Sequence, residues 1–236
     1  MTKFSSIFIS SFLFLISVFS FLNIIYSNYF DIFFNIENYV YTLIISVLLG
    51  SLLLFFNKRN LKKITLYEKI FTVLSGYILF PLIISIPYYF GLSHLSFIDS
   101  YFEAVSGLTT TGASILTNLD AQLKSVLFYR SLLQWIGGLG IIVLALALFP
   151  LLGVGGMQLY RGETQGSVSG TKLRPKMAET GKSLWFVYLL LTAACSFCYF
   201  VSGMDIFDAI THSFTTVAIG GFSNYDQSFA YFDNNL

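Results

Sequence analysis

Two short stretches carry the residues with the most chemical potential: Thr109-Thr110-Thr111-Gly112 and Ala218-Ile219-Gly220-Gly221. Neither supplies a nucleophile, a general base or a cluster of metal-ligating side chains. What they supply is backbone. Glycine admits φ values and close approaches that other residues resist, and small threonines leave neighbouring carbonyls uncrowded while adding hydroxyl oxygens. Extended backbone of this kind presents unpaired carbonyl oxygens, which can replace the water shell of a cation. In a soluble chain the plainer reading of Thr-Thr-Thr-Gly is a polar turn. Repetition argues against that reading here: 109 positions on, Asp99, Gly112 and Ser114 fall on Asp208, Gly221 and Ser223.

Each stretch follows a segment that predicts a short helix, about residues 97–108 and 205–216, with the extended parts at 109–113 and 217–222. Asp99 sits near the start of the first helix as a cap. Twelve helical residues reach only about 18 Å, against a hydrocarbon core of about 30 Å. A helix so short, placed between an outward-running and an inward-running span, must enter and leave on the same side. Irregular backbone at membrane depth persists only where it lines a water-filled path or is buried in protein. The C-terminal end of a half-helix also points partial negative charge towards the middle of the bilayer.

A bilayer is demanded by composition. Of 236 residues 56% are hydrophobic and only 11% charged, with 26 Phe, where a soluble domain has about a quarter charged. Five stretches are long enough to cross: roughly 4–26, 39–56, 70–90, 125–152 and 183–201. Lys58, Arg59, Lys62, Lys63 and Lys69 lie between spans two and three; Arg161, Lys172, Arg174, Lys176 and Lys182 lie between spans four and five. The positive-inside rule makes both loops, and so the N-terminus, cytoplasmic. Asp31, Glu37, Asp99, Glu103 and Asp120 mark the outer connections. The apolar run after Lys3 is longer than a signal h-region and lacks an A-x-A-like site, so it reads as a retained span. The net charge of +1 carries no message about nucleic acid.

Other features take plainer readings. Cys195 and Cys198 share one apolar run and read as packing residues. Gly153-Val-Gly-Gly-Met157 lacks the Gly-Lys-Ser/Thr ending of a phosphate loop and reads as a flexible connector. Gly137, Gly138 and Gly140 mark either a hinge or close packing of small residues, the commoner use. Arg130 near the outer end of span four either acts on passing cations or snorkels to the interface. Glu103 and His212 are intramembrane ionisable groups without a visible partner, assigned to steadying the short helices. Tyr88, Tyr89 and Phe90 fit an interfacial aromatic belt. No paired carboxylates or histidine cluster suggest an enzyme.

At Phe102–Ala113, Tyr129–Ile142, Leu151–Tyr160 and Ala218–Ser223 the chain resembles the Trk/Ktr/HKT potassium transporter superfamily, closest to the bacterial TrkH branch. The resemblance implies an all-α integral membrane fold with two leading transmembrane helices (1–64), followed by membrane–pore–membrane repeats with re-entrant pore helices. The first repeat would be complete (65–152), then a cytoplasmic connector (153–181), then a second repeat truncated after its filter (182–236). It implies a selectivity filter at Thr109, Thr110, Thr111 and Gly112 with Ala218, Ile219, Gly220 and Gly221, and potassium held at Thr110, Thr111, Ile219 and Gly220. A glycine at position 112 goes, in this family, with preference for potassium over sodium.

The same resemblance implies potassium uptake across the bacterial inner membrane, with no cofactor beyond the transported ion. It also implies a TrkA-like cytosolic nucleotide-binding regulatory subunit and a homodimer. The family has four repeats, so a chain with one and a half is expected to be inactive by itself. A non-conducting membrane scaffold, or a subunit of another cation channel, is the alternative.

Overall fold

The computed structural model describes residues 3–29, 36–55, 66–148 and 173–232. Eight helices run through them: α1 (Lys3–Tyr29), α2 (Ile36–Phe55), α3 (Leu66–Ile84), α4 (Ile86–Gly91), α5 (Phe97–Leu108), α6 (Lys124–Leu148), α7 (Leu173–Val201) and α8 (Ile206–Val217). Four stretches among them, Ser6–Tyr29, Ile36–Phe55, Ile70–Gly91 and Gly181–Val201, are long and apolar enough to cross a membrane. α6 is a further helix of 25 residues. The chain is an all-α integral membrane protein with two short pore-type helices, α5 and α8, of 12 residues each. The basic residues Lys58, Arg59, Lys62, Lys63, Arg161 and Lys172, the acidic Asp31 and the glycine run at 153–157 lie outside the described residues.

α1 and α2 pack through small and polar side chains, as membrane helices do when no hydrophobic force distinguishes helix from lipid. Ser6, Ser10, Ser17, Ser20, Asn23 and Ser27 are buried along α1, as are Thr42, Ser46 and Gly50 on α2, whereas Tyr39 of α2 reaches α6 and donates to the Ser125 carbonyl at 3.2 Å. Ser10 donates to the Gly50 carbonyl at 2.9 Å. On the other side α2 exposes Ile44, Ile45, Leu48, Leu49 and Leu52, and α7 exposes Phe186, Leu189, Leu190, Leu191 and Phe197. Such faces are stable in hydrocarbon and not in water.

α3 and α4 form one interrupted span. Pro87 has no N–H to continue the helical ladder, and the break falls at Ser85, whose amide still reaches the Pro81 carbonyl at 2.8 Å. α7 begins at Leu173, inside the stretch expected as connector. Pro175 lies in its first turn, where the missing N–H is harmless.

Glycines on α6 let it pack closely against α5 of its own repeat and against the second repeat. A Cβ on Gly137 would overlap the Leu108 carbonyl at the end of α5, and one on Gly138 would meet the Tyr188 hydroxyl at 2.7 Å and Ala218 at 3.2 Å. At Gly137 and Gly138 the packing is close, while a Cβ on Gly140 would have its nearest neighbour, Phe12, at 4.0 Å. Gly137→Ala forces α5 away from α6, so its expected cost is about 1–3 kcal/mol. A clear drop in the midpoint of heat-induced aggregation of the purified protein checks this; an unchanged midpoint refutes the packing role.

Candidate functional site

Both short helices end alike. In α5, the Thr109 amide bonds the Val105 carbonyl, Thr110 bonds Gly107 (3.1 Å) and Thr111 reaches back to Ser106 (3.0 Å). In α8, Ala218 bonds Phe214, Ile219 bonds Thr216 (3.0 Å) and Gly220 reaches Thr215 (2.8 Å). Every pair is displaced by the same 109 positions. This is the Schellman termination, whose left-handed residue is usually glycine. α7 closes with it in the ordinary way, at Gly203 (φ +98°). The short helices instead place β-branched residues there, Thr110 at φ +55° and Ile219 at +56°. For such residues a positive φ is a true outlier, of the kind that concentrates at functional sites. Ile219 is 89% exposed, so contacts of its side chain do not explain its backbone.

The left-handed turn then recurs two residues on, at Gly112 (φ +77°) and Gly221 (φ +82°). Between them Thr111 and Gly220 keep negative φ. In a regular strand successive carbonyls alternate sides; alternation in the sign of φ breaks that rule and lets neighbouring carbonyls face one way. Both stretches therefore share one unusual backbone, laid at the C-terminal, partially negative end of a half-helix. Thr109 donates to Val105 and lies 2.7 Å from the Thr111 hydroxyl.

The two stretches touch. A Cβ on Gly112 would overlap the Gly220 carbonyl, whereas one on Gly221 would meet no described atom within 4 Å. The Gly220 carbonyl also accepts from Gln134 Nε2 at 3.0 Å, and Gln134 Oε1 takes the Phe222 amide at 3.1 Å. One fully buried amide on α6 thus fixes the second stretch at two points. Sequence reasoning passes over Gln134; a glutamine inside an otherwise apolar span is the signal that could have found it.

A charged centre lies just beyond. Arg130 Nε donates to Glu103 at 2.8 Å, Nη2 to the Ser114 hydroxyl at 2.9 Å and Nη1 to the Ser223 carbonyl at 3.1 Å. Its guanidinium also sits 4.2 Å from the Phe222 ring centre. Glu103 accepts from Ser114 (2.9 Å) and from the Ile115 amide (3.2 Å). Arg130 is 1% exposed and Glu103 fully buried. Neither reading of Arg130 drawn from sequence describes this: it neither snorkels nor stands free, because a buried carboxylate 27 residues away neutralises it. Glu103 correspondingly has the partner that could not be seen in sequence.

The second repeat builds its version without a formal charge pair. His212, 109 positions after Glu103, lies 3.1 Å from the Ser223 hydroxyl through Nε2 and 2.9 Å from the Asp208 carbonyl through Nδ1. A carbonyl only accepts, so Nδ1 carries the hydrogen and, in the neutral ring, Nε2 accepts from Ser223. Asp208 receives Asn224 and the Tyr225 hydroxyl, each at 2.7 Å. Asp99 behaves differently. Ser96 is the N-cap of α5, and Asp99 completes a capping box with it, so the expected cap is three residues earlier.

Comparison with known proteins agrees with this architecture. The family model TrkH, described as a cation transport protein, matches residues 35–236. The Trk system potassium uptake protein TrkH of Escherichia coli (strain K12) is 47% identical over 194 residues, covering 82% of this chain and 40% of that protein. Its namesake from Vibrio parahaemolyticus is 45% identical over 197 residues, covering 83% and 41%. The crystal structure of the potassium transporter TrkH from Vibrio parahaemolyticus superposes with a TM-score of 0.84 at 36% identity, over 98% of this chain and 46% of that one. The chain spans about 40% of the length of the curated relatives it matches. These are transport proteins and not enzymes. The chain belongs to the TrkH family of cation transport proteins.

Proposed function

We propose that this chain supplies the first two sides of a potassium-selective filter and serves potassium uptake through the bacterial inner membrane, with its N-terminus in the cytoplasm. The observation that carries the reading is the shared backbone of Thr109–Gly112 and Ala218–Gly221: two β-branched residues and two glycines held at positive φ at one spacing, on two pore-type helices. Carbonyls of Thr110, Thr111, Ile219 and Gly220 are the proposed ion ligands, with Gly220 sharing its oxygen with Gln134. Potassium is the transported substrate, and no other group is needed.

Two stretches line two sides of a path, and enclosing an ion takes more strands of the same kind. The chain by itself is therefore proposed to be inactive. A TrkA-like cytosolic nucleotide-binding subunit and assembly as a homodimer are proposed from the family resemblance.

The test is growth of an uptake-deficient bacterium at limiting potassium, carrying either this 236-residue chain or its gene read through to the natural stop codon. Rescue by the gene and not by the isolated chain is the expected result. Failure of both, with both proteins inserted in the membrane, would refute potassium uptake and leave a non-conducting scaffold.

A further inference from the structure

We infer that Arg130 is a positioning residue that sets ion discrimination, by tying the filter stretch of the first repeat to that of the second. The inference rests on the filter reading above. Arg130 lies on α6, between the two short helices, and its three bonded nitrogens go to three different segments. Nε meets Glu103 on α5, Nη2 meets Ser114 just after the first stretch, and Nη1 meets the Ser223 carbonyl just after the second. Phe222, adjacent to Gly221, packs its ring against the guanidinium plane. Ser114 and Ser223 are equivalent positions of the two repeats, so one planar group holds the same point of both stretches at once.

The consequence is geometric. Selectivity between cations of one charge depends on how closely carbonyl oxygens approach a common point. Gln134 anchors the second stretch alone; among the described contacts Arg130 is the side chain that binds both. Its charge is spent on Glu103, so its contribution to the ion path is distance, not attraction or repulsion. Lysine cannot substitute: a single ammonium keeps the charge balance with Glu103 but lacks the rigid fork that reaches three acceptors in different directions.

The experiment compares the gene read through to its stop codon with its Arg130→Lys variant, measuring potassium-limited uptake and its inhibition by sodium. The expected result is normal insertion and a potassium-over-sodium preference reduced about tenfold, equivalent to roughly 1.4 kcal/mol. A residue that merely supported folding would lower the amount of protein and the uptake rate while leaving the preference intact, and that outcome overturns the inference. Should Arg130→Lys fail to reach the membrane, Phe222→Leu leaves the three Arg130 hydrogen bonds in place and removes the ring against the guanidinium, and a preference reduced about threefold is expected from the lost cation–π contact. An unchanged preference in that variant overturns the inference equally. Absence of uptake by the unsubstituted protein overturns the functional reading itself, and is visible before any variant is compared.

Discussion

Replacing Gly112 with alanine or serine is expected to abolish potassium-specific uptake while leaving the protein in the membrane. Two independent effects add at this position. The backbone is left-handed at φ +77°, which disfavours any side chain by about 1–2 kcal/mol. A Cβ would also overlap the Gly220 carbonyl, a proposed ion ligand that Gln134 holds from the other side. The carbonyl must move, and the spacing between the two stretches moves with it. Gly221 separates the two effects, since it has the same backbone (φ +82°) and a methyl there would meet no described atom. Gly221→Ala is therefore expected to be the milder change. Uptake of potassium and rubidium, measured beside the amount of inserted protein, checks both. Equal and small effects at the two glycines would show that the contact between the stretches is unimportant.

Removing the carboxylate of Glu103 is expected to be the most destabilising single change in the described part of the chain. Glu103→Gln leaves the Arg130 guanidinium, 1% exposed, without a counter-charge. Breaking a buried pair from one side typically costs about 3–5 kcal/mol. Arg130→Met strands the carboxylate instead and should be comparably harmful. The double variant Glu103→Gln/Arg130→Met buries no charge and should recover much of the loss, because the pair itself adds little once both ions have been desolvated. Thermal stability in detergent of the four proteins distinguishes this from a simple packing role, for which the two losses would add.

Much of this site is legible in the sequence. The repeat of 109 positions in Asp99, Gly112 and Ser114 locates both stretches proposed as the filter, because the backbone conformation depends on local residues. The short helices are legible for the same reason: a polar start, an apolar face and a length that cannot span a bilayer. What escapes is tertiary. Arg130 meets Glu103 across 27 positions and Ser223 across 93, and no local pattern announces contacts at that range. The offset does place His212 opposite Glu103, yet an acid and an imidazole do not read as equivalents until both are seen holding the equivalent serines. The start of α7 at Leu173, ahead of its apolar stretch Gly181–Val201, is hidden by basic and polar residues, which suggest a loop by composition even where the helix continues.

The most direct test of the proposed filter is the position of a heavy potassium analogue. Rubidium can be soaked into crystals of the protein expressed from the gene read through to its stop codon, and located by its anomalous scattering. A rubidium site coordinated by main-chain oxygens of Thr110, Thr111, Ile219 and Gly220 is expected, and no such site in Gly112→Ala crystals soaked in the same way. Rubidium bound elsewhere, or no rubidium at these carbonyls in a protein that still takes up potassium, would contradict it.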